Sequence, residues 1–267
     1  MGRSPILDNK YPDEPSVFVP DALLREARRQ KGLAAASVPE VCILDPDGDM
    51  ARRLRSTGQS APFAAWACYH TELDVFTLGG REVGILGRAV GSSFAVLVAE
   101  QLFASGCRLL LSMTSSGQIA ASGPTPYFIL IERALRDEGT SYHYAAPSQF
   151  AEADPALLKA GASALESSSR RVFVGATWTT DAPYRETQQA IDAARSLGIL
   201  AVEMEASALY AFARASRNSI LCLAHVTNTM GQAGDDFEKG EADGTTDALD
   251  VLSYLVGITP VPKPTSS

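Results

Sequence analysis

Two carboxylates stand in an otherwise apolar stretch of this 267-residue chain, "LAVEMEASALYAFA" at 200–213. Glu203 and Glu205 are separated only by Met204. Because burying an unpaired charge is costly, these carboxylates are expected to hold something. A carboxylate at a strand end can accept hydrogen bonds from two neighbouring hydroxyls of a sugar. It can also cap the next helix, because negative charge is favourable at a helix N-terminus. The two glutamates can divide these roles between them.

The relative direction of the two glutamates depends on where the strand ends. If the strand continues through "VEMEAS", Glu203 and Glu205 share a face by the two-residue period of a strand. If a helix begins at Met204, they diverge. The sequence leaves both arrangements open.

Three further polar segments follow predicted strands, namely "MTSSGQ" (113–118), "TWTTDAPYRET" (177–187) and "HVTNTMG" (225–231). Ligands of α/β sheets bind beyond the carboxyl ends of strands, so these segments are predicted to converge on one site. In the second segment, Tyr184 and Arg185 have the chemistry to stack on and hydrogen-bond a heterocycle. In the first, a simple turn explains Ser-Ser-Gly equally well.

The segment "GRAVGSSFAV" (87–96) leads into a predicted helix through small residues. Its backbone amides suit an anion, although an ordinary capped helix start explains it as well. It is neither a complete dinucleotide fingerprint nor a P-loop. His143, a lone histidine in a polar loop, is more often structural than catalytic.

Composition excludes several classes of function. The net charge of -8 argues against a nucleic-acid partner, since phosphate backbones need a basic face. The apolar runs are too short to span a membrane, and no signal peptide is evident, so a cytoplasmic protein is predicted. Four widely spaced cysteines predict buried free thiols and no zinc site: Cys42, Cys68, Cys107 and Cys222.

The elements that position these residues alternate between strand and helix patterns. This predicts an α/β fold with a central mixed sheet flanked by helices. Strands are predicted at 41–45, 64–73, 107–113, 170–178, 199–204 and 219–227, with a hairpin through Gly-Gly at 73–87. Helices are predicted at 92–106, 155–167, 186–198, 206–216 and 247–257. An N-terminal extension (1–38) precedes the main domain (39–258), and a disordered tail (259–267) follows.

The segment "AVEMEASALYAFA" (201–213) resembles the signature of the nucleoside phosphorylase superfamily. "RDEGTSYHY" (136–144), "WTTDAPYRET" (178–187) and "AHVTN" (224–228) resemble its uridine phosphorylase-like branch. The resemblance runs in order through residues 40–258 and implies a phosphorylase/hydrolase-like three-layer fold. Since family members share active sites between the subunits of a dimer and usually form hexamers, a homodimer or hexamer is predicted.

The resemblance also implies roles for individual residues. Glu205 accepts from the ribose 2′ and 3′ hydroxyls beside Met204, and Glu203 supports this ribose-binding site. Asn228 lies where purine enzymes carry an acidic proton donor, which favours a pyrimidine or atypical base. Pro183 replaces the aromatic residue that stacks on the base in the family. The implied base-binding residues are Ser116, Gly117, Tyr184, Arg185, Glu186 and Asn228.

The family's phosphate site is altered in this sequence. Its Gly-Asp-Pro-x-Arg loop corresponds to "LDPDGDMARR" (44–53), which places Met50 on the arginine, and Ser112 replaces a second arginine. Charge-assisted hydrogen bonds contribute about 1.5–3 kcal/mol each, so phosphate binding should be weakened. The residues that remain as candidates for holding an anion or nucleophile are Arg88, Gly91 and Ser115. Further candidate replacements for the guanidiniums are Arg52, Arg53 and Arg136.

The favoured hypothesis is phosphorolysis of a nucleoside to free base and ribose 1-phosphate, as in nucleotide salvage. It needs phosphate as co-substrate and no metal or other cofactor. A phosphate-independent nucleoside hydrolase, or another N-glycosyl-cleaving enzyme, is the first alternative, because two guanidiniums are missing. A non-catalytic nucleoside-binding protein is the second, although the intact "VEMEAS" disfavours complete loss of sugar binding.

Overall fold

A computed structural model describes residues 5–120, 122–229, 239 and 241–260. Its strands are β1 (Val41–Asp45), β2 (Ser60–Pro62), β3 (Asp74–Leu78), β4 (Arg81–Gly87), β5 (Leu109–Gln118), β6 (Tyr127–Asp137), β7 (Phe150–Glu152), β8 (Val172–Thr180), β9 (Ile199–Glu203) and β10 (Ser219–Thr229). Its α-helices are α1 (Pro20–Lys31), α2 (Asp49–Ser56), α3 (Ser92–Ala104), α4 (Pro155–Leu165), α5 (Gln188–Ser196), α6 (Ala206–Ser216) and α7 (Thr245–Leu255).

The strands form one mixed sheet in the order β10-β6-β8-β9-β5-β1-β4-β3-β2, with β7 beside β6. Because β10 also pairs with β5, the strands β5, β9, β8, β6 and β10 close into a ring. Strands β4, β1, β5 and β10 are mutually parallel, so their carboxyl ends lie along one edge. Strand β9 runs antiparallel to β5. This edge brings together the loops that follow four different strands.

Helices cover both faces of the sheet. On one face, Leu102 of α3 and Leu209 of α6 belong to the larger buried cluster. On the other face, Leu54 of α2, Leu157 of α4 and Leu252 of α7 belong to a second cluster. The predicted α/β fold class, a central mixed sheet flanked by helices, is confirmed.

Local signals explain the elements that were predicted well. Gly79 and Gly80 both have positive φ, 57° and 74°, as the tight turn between β3 and β4 requires. At the start of α4, the Asp154 carboxylate accepts from two backbone amides and Pro155 takes the first helical position. The predicted buried free thiols are confirmed, since all four cysteines are buried and unpaired by disulfides.

The strand predicted at 64–73 is wrong, because this segment is an irregular connection. Its polar groups are satisfied by side chains instead of a ladder. Lys31 Nζ donates to the carbonyls of Ala67 and Cys68, and Trp66 Nε1 donates to Thr71. The segment is apolar because it is buried here, and not because it forms a strand.

Five helices and strands were not predicted, namely α1, α2, β2, β6 and β7. The first two are rich in charge, and α1 buries only a narrow stripe through Leu24 and Ala27. Strand β6 begins apolar but continues through Glu132 and Arg133, which breaks its pattern. The tail predicted to be disordered lies outside the described residues from 261 onward. No helix in the described part of the chain is long and apolar enough to cross a bilayer.

Candidate functional site

Glu205 is positioned by the antiparallel pairing of β9 with β5. Val202 pairs with Gly117, so the chain leaving β9 runs back toward Thr114. The Glu205 side chain contacts the Thr114 hydroxyl, and its Oε1 accepts from the Gly91 amide at 2.7 Å. The residue is 1% exposed. The carboxylate that follows β9 therefore meets the residue before α3 and the middle of β5.

Glu203 has a different role. Its Oε1 accepts from the hydroxyls of Thr177 and Thr179, and its Oε2 accepts from the amides of Glu205 and Ala206. With four donors from the protein and 3% exposure, it has no oxygen left for a sugar. Glu203 was placed with the ribose-binding residues in a supporting role, and its four bonds leave it no direct hydrogen bond to a ribose. Glu203 caps α6 and holds the backbone that carries Glu205.

The strand ends at Glu203 and α6 begins at Ala206, so the two glutamates diverge. Met204, between them, is half-buried, and its carbonyl accepts from the Ser92 hydroxyl at 2.8 Å. This bond and the Gly91–Glu205 bond tie the start of α3 to the turn that carries Glu205.

Burial, and next the neighbouring negative charge of Glu203, raise the pKa of Glu205 to about 8. The Gly91 amide and Thr114 hydroxyl act in the opposite direction. Burial likewise raises the pKa of Glu203. A carboxylate held in this way gains from any further donors, because each one stabilises the charged form. Two hydroxyls of a sugar would supply such donors.

A second carboxylate, that of Asp47 in the loop after β1, accepts a hydrogen bond from a main-chain amide of β5. Asp47 Oδ2 accepts from the Ser115 amide at 2.9 Å. The loop behind it is held by Asp45, whose carboxylate accepts from the amides of Gly48 and Ala51. Burial raises the pKa of Asp45 to about 7. The Ser115 amide, where an anion was predicted to bind, therefore donates to a carboxylate of the protein itself.

A cavity of about 30 Å³ lies beside this contact. Two of its lining groups, His225 Nε2 and Thr245 Oγ1, are buried and have no hydrogen-bond partner among the described residues. The His225 ring stacks on Phe128 at a centroid distance of 4.4 Å. Burial, assisted by the positive charge of Lys239, lowers the pKa of His225 to about 4. The imidazole is therefore neutral near pH 7.

The predicted anion-binding groups are placed differently from the expectation. The Gly91 amide donates to Glu205 Oε1. Arg88 is exposed and lines a separate cavity of about 830 Å³ that shares no lining residue with the small one. Ser115 is the exception, since its amide does hold an anionic group, that of Asp47. With Gly91 bonded to Glu205 and Arg88 outside the small cavity, the role of these two residues in holding the nucleophile stays a prediction.

The other candidate guanidiniums do not replace the missing ones. The Arg136 guanidinium donates to two carbonyls and two serine hydroxyls within 141–148. Arg52 pairs with Asp49 at 2.8 Å and with Asp243. Arg53 is exposed on α2 and is not among the residues that line the small cavity. The positions of the missing arginines, Met50 and Ser112, are both buried.

On the base side, the structure brings together part of the predicted set. Gly117 lies between Val202 of β9 and Asn228 of β10. Ser116 is buried, and its hydroxyl has no partner within the described ranges. By contrast, the Tyr184 side chain is 98% exposed. The structure does not enclose that ring.

Arg185 is also exposed, whereas Glu186 is half-buried and burial raises its pKa to about 7. His143 is exposed in a short 3₁₀ turn. Burial also raises the pKa of Asp181 in the same segment, so two of its carboxyl groups show the perturbed titration that is common at functional sites.

Four residues of the site were missed from the sequence: Asp47, Thr114, His225 and Thr245. A usable signal existed for three of them. Asp47, Thr114 and His225 come from the segments that end or follow the parallel strands β1, β5 and β10, where ligands of such sheets bind. Thr245 gave no such signal, because it starts a helix far along the chain.

Comparison with known families agrees with this geometry. The model of the phosphorylase superfamily matches residues 40–256. The chain therefore belongs to the phosphorylase superfamily. The prediction of the nucleoside phosphorylase superfamily, in its uridine phosphorylase-like branch, is confirmed.

Relatives include enzymes named for purine and for pyrimidine nucleosides. Guanosine phosphorylase of Halorubrum lacusprofundi is 27% identical over 135 residues, covering 51% of this chain and 56% of that protein. Uridine phosphorylase of Thermococcus kodakarensis is 27% identical over 192 residues, covering 65% and 68%. A DeoD-type purine nucleoside phosphorylase of Shewanella denitrificans is 24% identical over 185 residues, covering 68% and 78%.

Among solved structures, uridine phosphorylase of Vibrio fischeri ES114 is similar with a TM-score of 0.70. The two chains are 20% identical, and the match covers 85% of this chain and 97% of the other. The shared architecture is the phosphorylase fold.

Proposed function

We propose that this protein cleaves the N-glycosidic bond of a nucleoside. The observation that carries the proposal is the Glu205 carboxylate, buried at the end of β9 with one oxygen on the Gly91 amide. In a member of the phosphorylase superfamily, such a carboxylate suits the 2′ and 3′ hydroxyls of a ribose.

Cleavage of this bond builds positive charge on the sugar, as in other glycoside cleavages. An enzyme must hold the sugar, stabilise the departing base and place a nucleophile under C1′. In the proposal, Glu205 and Met204 hold the ribose. The base lies toward Ser116, Gly117 and Asn228.

Phosphate is the first candidate acceptor. Its use would make the protein a glycosyl-transferring, uridine phosphorylase-like enzyme that yields ribose 1-phosphate, without metal or other cofactor. The relatives named as phosphorylases support this version. A role in nucleotide salvage in the cytoplasm, as a homodimer or hexamer, belongs to the same proposal, and asparagine at 228 favours a pyrimidine or atypical base.

Water is the second candidate acceptor, and one observation favours it. The Ser115 amide carries Asp47, and the predicted arginine positions hold Met50 and Ser112. The anion side of the site is thus acidic where the family is basic.

The test is to incubate the protein with a panel of purine and pyrimidine nucleosides, with and without phosphate, and to measure free base by chromatography. Release that needs phosphate supports phosphorolysis, and release without it supports hydrolysis. Absence of release under both conditions, with nucleoside binding seen by calorimetry, would replace an enzyme with a nucleoside-binding protein.

A further inference from the structure

We propose that Asp47 determines whether water or phosphate acts as the nucleophile, by occupying the anion position on the Ser115 amide and excluding inorganic phosphate. This inference rests on the proposed cleavage of a nucleoside. It assigns the role of choosing the acceptor to a residue outside the sugar and base sites.

The position of Asp47 follows from strand register. Strands β1 and β5 are parallel, with Leu44 opposite Ser112. The chain then leaves β1 at Asp45 and turns, and in this turn Asp47 Oδ2 accepts from the Ser115 amide of β5 at 2.9 Å. The pairing of β1 with β5 brings the turn to Ser115. Asp45, bonded to two amides of the same loop, holds the loop in place.

Asp47 also lies next to the sugar carboxylate. Thr114, directly before Ser115, contacts Glu205 through its side chain, and the charge of Asp47 is close enough to raise the pKa of Glu205. An acceptor that attacks a sugar held by Glu205 would have to approach this same place. The Asp47 carboxylate is thus positioned to compete with an incoming anion.

The charges around the cavity oppose a phosphate dianion. Asp45, Asp47 and Asp49 all line it, and the lining cation Lys239 is bonded to Asp49. No arginine lies among the described lining residues. Charge-assisted donors are the groups that hold phosphate well, whereas this lining carries three carboxylates and a lysine that is already bonded to one of them.

The size and polarity of the cavity suit a small neutral molecule. Its volume of about 30 Å³ exceeds the roughly 10–15 Å³ that one water requires. His225 Nε2 and Thr245 Oγ1 line it without partners among the residues described. The neutral imidazole adds no positive charge.

Water is therefore the acceptor that this pocket favours. Its oxygen bonds to C1′, the bond from C1′ to the base nitrogen breaks, and the electron pair stays on that nitrogen. The proton released by the water passes to solvent and the base takes one up. The products are free base and free sugar.

The first experiment titrates inorganic phosphate into the wild-type protein, Asp47→Ala and Asp47→Asn, followed by calorimetry and phosphorus NMR. Asp47→Ala frees the Ser115 amide and removes the charge. Since one or two charge-assisted bonds become available, we expect phosphate to bind at least about tenfold more tightly than to the wild type. Asp47→Asn keeps an acceptor on the amide, so we expect a smaller gain.

Asp192→Asn is the matched control. Asp192 is an exposed carboxylate paired with Arg195, it is not among the residues that line the small cavity, and its removal changes the same net charge. We expect its phosphate binding to equal that of the wild type. Melting temperatures of all variants establish that each is folded. Equal phosphate binding by Asp47→Ala and the wild type would overturn the inference.

The second experiment measures base release from the best nucleoside with and without phosphate. We expect wild-type release to be unchanged by phosphate and to produce free reducing sugar. Release by the wild type that depends on phosphate would overturn the role of Asp47 and leave the proposed cleavage standing. If no nucleoside is cleaved, the proposed function fails, whereas the phosphate titration still decides the inference.

Discussion

Two carboxylate–amide pairs lie side by side at one edge of the sheet. The sugar-side pair joins Glu205 to the Gly91 amide at 2.7 Å, and the anion-side pair joins Asp47 to the Ser115 amide at 2.9 Å. In both, the amide belongs to a segment that ends or follows a parallel strand. The donor–acceptor distances are nearly the same in the two pairs, so we attribute their different proposed roles to the residues that support each carboxylate.

The backbone that carries the sugar-side carboxylate is held by hydrogen bonds to Glu203. Glu203, with four donors of its own, fixes the turn that carries Glu205. Asp47 is half-buried on a loop of which Asp45 is the main support. A main-chain amide that is not used by the sheet can donate either to a bound anion or to a side-chain carboxylate. Which of the two it bonds depends on the loop that packs against it.

The largest expected effect concerns the sugar-side pair. In the proposed function, Glu205 accepts hydrogen bonds from two sugar hydroxyls. Glu205→Gln replaces one of its oxygens with an NH2 donor, so we expect kcat/KM for nucleoside cleavage to fall about 100- to 1,000-fold. Glu82→Gln, on the exposed side of β4, is the control and should match the wild type. A Glu205→Gln protein with full activity would show that this carboxylate does not hold the sugar.

The hydrogen bonds of Glu203, which hold the backbone that carries Glu205, should contribute to the stability of the fold. Glu203→Gln turns an amide group toward donors that now bond a carboxylate, leaving buried groups unpaired. We expect a loss of about 2–4 kcal/mol in the free energy of unfolding, measured with urea. Glu40→Gln, an exposed residue, should change it by less than about 0.5 kcal/mol. Equal stability of both variants would mean that Glu203 does not hold the turn.

The titration of Glu205 gives a pH test of the same pair. The folded-state pKa, about 8, lies above the ordinary value of 4.5, so the folded protein binds the proton more tightly than the unfolded chain. Its contribution to stability is therefore fully present below about pH 4.5 and is lost as pH rises toward 8.

We expect the stability of the wild type relative to Glu205→Gln to fall by about 1–3 kcal/mol between pH 5 and 8. Urea unfolding of both proteins at several pH values measures this difference. A difference that stays constant with pH would show that Glu205 does not titrate in this range.

The smallest effect is expected outside both pairs. Because the Tyr184 side chain is 98% exposed, Tyr184→Ala should alter the free energy of unfolding by less than about 0.5 kcal/mol. We expect kcat/KM to change less than about threefold, within the range of one weak contact. A rise in KM above tenfold would instead establish the base contact that the family resemblance implies.

The order of strands and helices was largely predictable from local signals. The hairpin at 73–87 has its Gly-Gly turn, and α6 matches its predicted bounds of 206–216 because its apolar residues recur at helical spacing. The division of roles between the two glutamates was also open to sequence reasoning. Glu203 accepts from the first amide of α6, whereas Glu205 accepts from the Gly91 amide across the site.

Segments whose burial depends on distant partners were not predictable. The stretch at 64–73 is apolar because it packs beneath α1 and is bonded by Lys31, not because it pairs as a strand. Tyr184 and Arg185 have the right chemistry for a base, but the structure leaves both exposed. Residue type states what a side chain is able to do, whereas packing decides whether it is enclosed.

The sequence by itself determined the superfamily and the alternation of elements, and it singled out Glu205 as the proposed sugar ligand, since each depends on residues close together in the chain. Only the tertiary structure placed Asp47 on the Ser115 amide, because those residues are 68 positions apart and meet through the register of β1 with β5. Likewise, the antiparallel run of β9 brings Glu205 level with Thr114. Pairing between distant strands is a property of the whole sheet, and no local pattern encodes it.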